Sequence, residues 1–162
     1  MFVRKKKVKG QHYGYLVKNK WTSKGPRQKV IKYLGKVHKI SRQKEQKIDP
    51  ILIKKAGLNE LIDKLVEREL QCHGFELIDG YWHLSEVKVH PKGHVSYKGR
   101  KAVLEINEGF LCRDTIRQLK TIVKEPLIEP AQLASAILEA GISIEGENFA
   151  QLFMRISPET QF

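Results

Sequence analysis

The first 47 residues contain sixteen Lys or Arg and a single acid, Glu45, whereas residues 48–162 contain fourteen basic and seventeen acidic residues. The whole formal charge of +12 therefore originates in the N-terminal segment. A folded segment with such a field repels itself unless a polyanion neutralises it. The remainder has the balanced charge of an ordinary domain. This division predicts a basic arm over residues 1–47 and a body over residues 48–162.

The 162 residues suffice to bury a core, and aliphatic residues are spread among the 30% that are charged, so the chain folds and is not a disordered polyelectrolyte. No run approaches the ~20 apolar residues that span a bilayer, and MFVRKKKVKG lacks the apolar stretch of a secretory signal. Two cysteines, Cys72 and Cys112, fit buried free thiols in a reducing compartment. The expectation is a cytoplasmic protein with no membrane partner.

In the arm, FVRKKKV, HYGYLVKN and RQKVIKYLGKV are strand-length runs separated by Lys9-Gly10-Gln11 and by the turn-rich KNKWTSKGP, which predicts a three-stranded antiparallel meander. Its faces do not alternate cleanly. In the third run Val30/Leu34 and Ile31/Tyr33 make both faces apolar, and Tyr33 is expected in the core because so small a sheet can hardly spare an aromatic. The following HKISRQKEQKID reads as a charged linker or a frayed helix start.

Asp49-Pro50 opens a helix, and Leu58, Leu61, Ile62, Leu65 and Val66 predict another from about Asn59 to Gln71, stopped by Gly74. Turn signals at Asp79-Gly80, Pro91-Lys92-Gly93, Lys98-Gly99-Arg100 and Asn107-Glu108-Gly109 divide the next stretch into a second antiparallel meander. Three helices follow. They are marked by Ile116/Leu119/Ile122/Val123, by the opening Glu129-Pro130, and by Phe149/Leu152/Phe153/Ile156. Strands, helix, strands, helices is an α+β order.

The arm carries the functional signal. Arg4, Lys5, Lys6, Lys7, Lys9, Lys18, Lys20, Lys24, Arg27, Lys29, Lys32 and Lys36 supply cations, and Tyr13, Tyr15 and Trp21 supply flat surfaces for bases or sugars. FVRKKKVKGQHYGYLV, the Gly-Pro-Arg-Gln turn and KVIKYLGKV together resemble the basic β-region at the N-terminus of some insertion-sequence transposases and of uncharacterised prokaryotic, including archaeal, proteins. The resemblance covers residues 2–37 and implies a DNA-contacting arm of mobile-element type. The 115 residues after the arm are too few for the transposase nuclease core, so strand transfer is not implied.

Other constellations carry less. Arg113, Arg117, Lys120 and Lys124 form one helical stripe opposite Ile116, Leu119 and Val123, a possible second phosphate-contacting patch or a solvated face. The segment Gly141 to Met154 has the outline of a recognition helix but contains no Lys or Arg and carries Glu145 and Glu147, which repel phosphates. Cys72, His73, His83, His90, His94 and Cys112 lack paired metal-ligand spacing; core-edge cysteines and surface histidines are expected, with no metal or cofactor. Glu105, Glu108 and Asp114 are the only acidic group suggestive of a metal-dependent nuclease, and Asp114 reads more simply as a first-turn helix residue.

The sequence therefore predicts a non-enzymatic nucleic-acid-binding protein, with DNA favoured by the resemblance. RNA binding, ribosome association included, is the near alternative. A mobile-element nuclease and a protein-interaction module whose basic arm meets an acidic partner are the others, and the C-terminal body is a further surface for a protein partner.

Overall fold

The strand-forming runs on either side of Lys9-Gly10 and of Ser23-Lys24 produce an antiparallel meander of β1 (Phe2–Val8), β2 (Gln11–Thr22) and β3 (Gly25–Lys39). In the computed structural model, which describes residues 1–157, Lys9 and Gly10 both have positive φ, 48° and 78°, as a two-residue hairpin loop requires. The second turn is closed by the Thr22 hydroxyl, which donates to the Gly25 carbonyl at 2.7 Å.

The stretch 40–49 has no regular structure, yet it is pinned to the body. The N–H groups of Gln43 and Lys44 both donate to the Cys72 carbonyl, at 2.7 and 3.1 Å, and Ile48 is buried in the core. Helix α1 (Pro50–Lys55) then starts on Asp49, whose carboxylate accepts from the Ile51 N–H at 2.9 Å, and α2 (Leu58–Cys72) buries the predicted stripe.

The second meander comprises β4 (Glu76–Ile78), β5 (Tyr81–Leu84), β6 (Val87–Val89), β7 (Val95–Tyr97) and β8 (Arg100–Ile106), with β9 (Gly109–Leu111) returning along β8. Asp79-Gly80, Lys98-Gly99 and Asn107-Glu108 are all positive-φ pairs, so the predicted turns are formed by the residues that signalled them. Helices α3 (Arg113–Ile122), α4 (Pro130–Glu139) and α5 (Gly146–Ile156) complete the α+β fold.

The two meanders share one sheet. Lys36–Lys39 of β3 pairs in parallel with Ala102–Glu105 of β8, giving the order β1-β2-β3-β8-β7-β6-β5-β4. Strand β8 thus feeds two cores on its two faces. Ala102, Leu104 and Ile106 join the large core under the helices, while Val103 joins Val3, Leu16, Leu34 and Cys112 in a small one beneath the arm.

Candidate nucleic-acid interface

Strand β1 covers only Gln11–Val17 of β2, and β8 reaches only Lys36–Lys39 of β3. Between these limits Lys18–Thr22 and Gly25–Lys29 continue as a two-stranded ribbon. Its register sets Lys18 opposite Lys29 and Lys20 opposite Arg27, with Trp21 opposite Pro26 at the tip. Like charges directly opposite on neighbouring strands destabilise a ladder, and no acid lies in the ribbon to offset them. Trp21 is 80% exposed. Among the described residues no ring or cation packs on its indole.

Arg4, Lys6, Lys7, Lys9 and Lys24 are also exposed, and Lys36 is half-buried. Two lysines are engaged differently. Lys5 Nζ lies 2.8 Å from Glu105, and Lys32 Nζ lies 3.0 Å from Asp114, a buried residue in the first turn of α3. These pairs fasten the arm to the body and leave the ribbon as its uncompensated part.

Tyr33 is not a core residue as expected; it is 45% exposed. Leu34 enters the small core and its neighbour Tyr33 faces outward, beside register shifts between Gly14/Tyr15 and between Leu16/Val17. There its ring meets Tyr15 at 5.4 Å and Tyr13 at 6.3 Å between centroids, and Lys6 Nζ stands 5.1 Å from the Tyr15 ring. Partial burial, with Tyr13 and Tyr15 beside it, raises the Tyr33 phenol above its ordinary pKa, so the ring stays neutral at physiological pH.

This tyrosine face opens into a groove of about 580 Å³ whose opposite wall comes from the body. Tyr13, Tyr33, Lys36 and His38 line one side, and Tyr97, Lys98, Arg100 and Lys101 of the β7–β8 hairpin line the other. The His38 and Tyr97 rings stack at 4.3 Å. Burial, and secondarily Lys36, lower the His38 pKa and keep the imidazole neutral. No carboxylate lines the groove. Lys98-Gly99-Arg100 reads in the sequence as a turn; the run YKGRK, an aromatic followed by three cations, is the local mark of this wall.

The second stripe behaves otherwise. Arg117 pairs with Asp114 at 3.4 Å, Lys120 forms a short bond with Asp63, and Lys124 lies past the end of α3. Arg113 lines a separate cleft with His90 and Lys92, shared with Asp63 and Glu67. The His90 and His94 rings meet edge-on across their turn, with centroids 6.1 Å apart and planes 80° to each other. Among the described residues no group of three metal-ligating side chains assembles.

His73 departs from its expected surface position and is 1% exposed, its Nδ1 2.6 Å from the Glu69 carbonyl. It belongs to a network the sequence did not announce. The fully buried Glu69 carboxylate accepts from Arg42 at 2.8 Å, Arg68 at 2.9 Å, Asn107 at 2.6 Å and the Ser143 N–H at 2.9 Å. One side chain thus holds the linker, α2, the β8–β9 turn and the α4–α5 loop together.

Comparison of the chain with family models, with curated proteins and with solved structures found no match.

Proposed function

We propose that the protein is a non-enzymatic nucleic-acid-binding protein that docks its β2–β3 ribbon on duplex DNA. The observation that carries this reading is the ribbon's register, which sets Lys18 against Lys29 and Lys20 against Arg27 with no acid between them. A line of phosphates relieves that repulsion. A two-stranded ribbon fits the major groove of B-DNA, about 12 Å wide, whereas the A-form RNA major groove is too narrow for it. The exposed Trp21 at the tip adds a flat apolar contact. Two of the three acids that suggest a nuclease are already engaged, Glu105 by Lys5 and Asp114 by Lys32.

Titration of labelled duplex DNA and duplex RNA against the full chain over a salt series tests the reading. Each phosphate contact contributes about 0.9 to the slope of log affinity against log salt on duplex DNA. Replacing Lys18, Lys20 and Lys29 by glutamine flattens that slope by between about two and three units. An unchanged slope with the fold intact removes the ribbon from the interface. Tighter binding to duplex RNA replaces DNA as the partner, and failure to bind either duplex at low salt overturns duplex docking.

A further inference from the structure

The groove between the arm and the β7–β8 hairpin has a composition that duplex docking does not use. Its walls come from chain segments about sixty residues apart, and the parallel pairing of Lys36–Lys39 with Ala102–Glu105 brings them together. Tyr33 and Tyr13 stand on one wall and Tyr97 on the other, with Lys36 and Lys101 at the same opening. Tyr97 is backed by the His38 ring at 4.3 Å, which fixes its plane. Tyr33 is exposed and Tyr13 and Tyr97 are half-buried, and the three rings converge on one space beside cations.

We propose that this groove is a subsite for one unpaired nucleobase, stacked against Tyr33 and Tyr97, with the adjoining phosphates on Lys36 and Lys101. The inference rests on the nucleic-acid reading and narrows it to a single-stranded or extruded nucleotide. Bases within a duplex present edges to a protein and keep their faces stacked, so an aromatic-walled slot serves only a base that has left the stack. The volume of about 580 Å³ lies within the roughly 300–1,000 Å³ of small-ligand sites. The absence of lining carboxylates suits the flanking phosphates. A phosphate-only site would need the cations without the rings, and a core pocket the rings without the cations.

Fluorescence anisotropy with labelled oligo-dT, oligo-rU, an abasic deoxyribose chain of equal length and a blunt duplex tests the inference on the full chain. The base-bearing strands bind between about 5-fold and 150-fold more tightly than the abasic chain. Tyr33→Leu abolishes most of that difference, and Tyr33→Phe retains it. Neither change alters duplex affinity by as much as 2-fold, and thermal melting confirms the fold of each variant. Tyr97→Leu gives the same loss. Should that variant melt early, Tyr33→Leu decides the matter alone, because its ring is exposed. The tighter of oligo-dT and oligo-rU identifies the sugar. Equal affinity for base-bearing and abasic chains, or a difference that survives Tyr33→Leu, overturns the subsite while salt-dependent duplex binding keeps the broader reading. Failure of the wild type to bind any nucleic acid at low salt overturns both.

Discussion

Gly35 of β3 stands so close to Lys101 of β8 that a Cβ placed on it would overlap the Lys101 carbonyl and lie 2.8 Å from the Ala102 nitrogen. Its φ of +113° is also one that L side chains rarely adopt. The seam joining arm and body therefore depends on a missing methyl group. Gly35→Ala is expected to lower stability by at least about 3 kcal/mol, combining backbone strain with overlap at a site that has no room to relax. Denaturant unfolding measures the loss, and amide exchange at Lys36–Lys39 reports whether the seam opens first.

A second prediction concerns Lys32. Its ion pair with Asp114 makes it a fastener, and the carboxylate it serves is buried with Arg117, at 3.4 Å, as its one other ion-pair partner among the described residues. Lys32→Gln should cost about 1–3 kcal/mol of stability, the penalty of a weakly satisfied buried carboxylate. Its effect on the salt slope of duplex binding should fall well short of the ~0.9 of a phosphate contact. A full unit of slope with unchanged stability would place Lys32 on the nucleic acid instead.

How much of this was legible depended on range. The loops at Lys9-Gly10, Asp79-Gly80 and Lys98-Gly99 were readable because positive φ selects residues locally. The stripe of α2 was readable because its period is local too. The parallel pairing of β3 with β8 left no mark on either strand, since the partners are brought together by the intervening fold. Tyr33 was misplaced because so small a sheet was expected to need its aromatic, whereas Val103 and Cys112 from the body complete the small core with Val3, Leu16 and Leu34. Glu69 carries no local signal, being one charged residue among several along α2. Only Arg42, Asn107 and Ser143, distant in sequence, make it the centre of a buried network.

That network supplies a third prediction. Glu69→Gln keeps the volume but removes the charge that Arg42 and Arg68 address, leaving the buried Arg68 uncompensated and Arg42 with only the exposed Glu45 at 2.8 Å. A loss of about 3–5 kcal/mol is expected, as for other buried pairs broken from one side. Denaturant unfolding checks the magnitude.

His38 gives the fourth. Its folded pKa is lowered, by burial first and then by Lys36, relative to the ordinary value of 6.5. The unfolded chain therefore binds the proton more readily, so this contribution to stability is fully present above about pH 6.5 and is lost as pH falls below it. Melting temperature should drop between pH 8 and pH 5.5. His38→Phe, which keeps a ring against Tyr97 and cannot titrate, should flatten that profile. An identical profile in the variant would assign the pH dependence elsewhere, His94 being the next candidate because its pKa is lowered by burial and by Arg113.

The last prediction sets stability against binding. Lys18 faces Lys29 across the ribbon, and both are exposed with no acid beside them. In the free protein that pair is a liability, and removing one charge relieves it by about 0.2–1 kcal/mol, the usual scale of a cross-strand pair. On duplex DNA the same lysine loses a phosphate contact and about 0.9 of salt slope. Lys29→Gln should therefore melt slightly higher than the wild type at low salt and bind more weakly, with the stability gain fading as salt screens the repulsion. A merely solvated lysine-rich surface predicts the gain and its salt dependence without the loss of binding. A variant that melts lower and binds duplex unchanged would show that Lys29 supports the ribbon and does not meet phosphate.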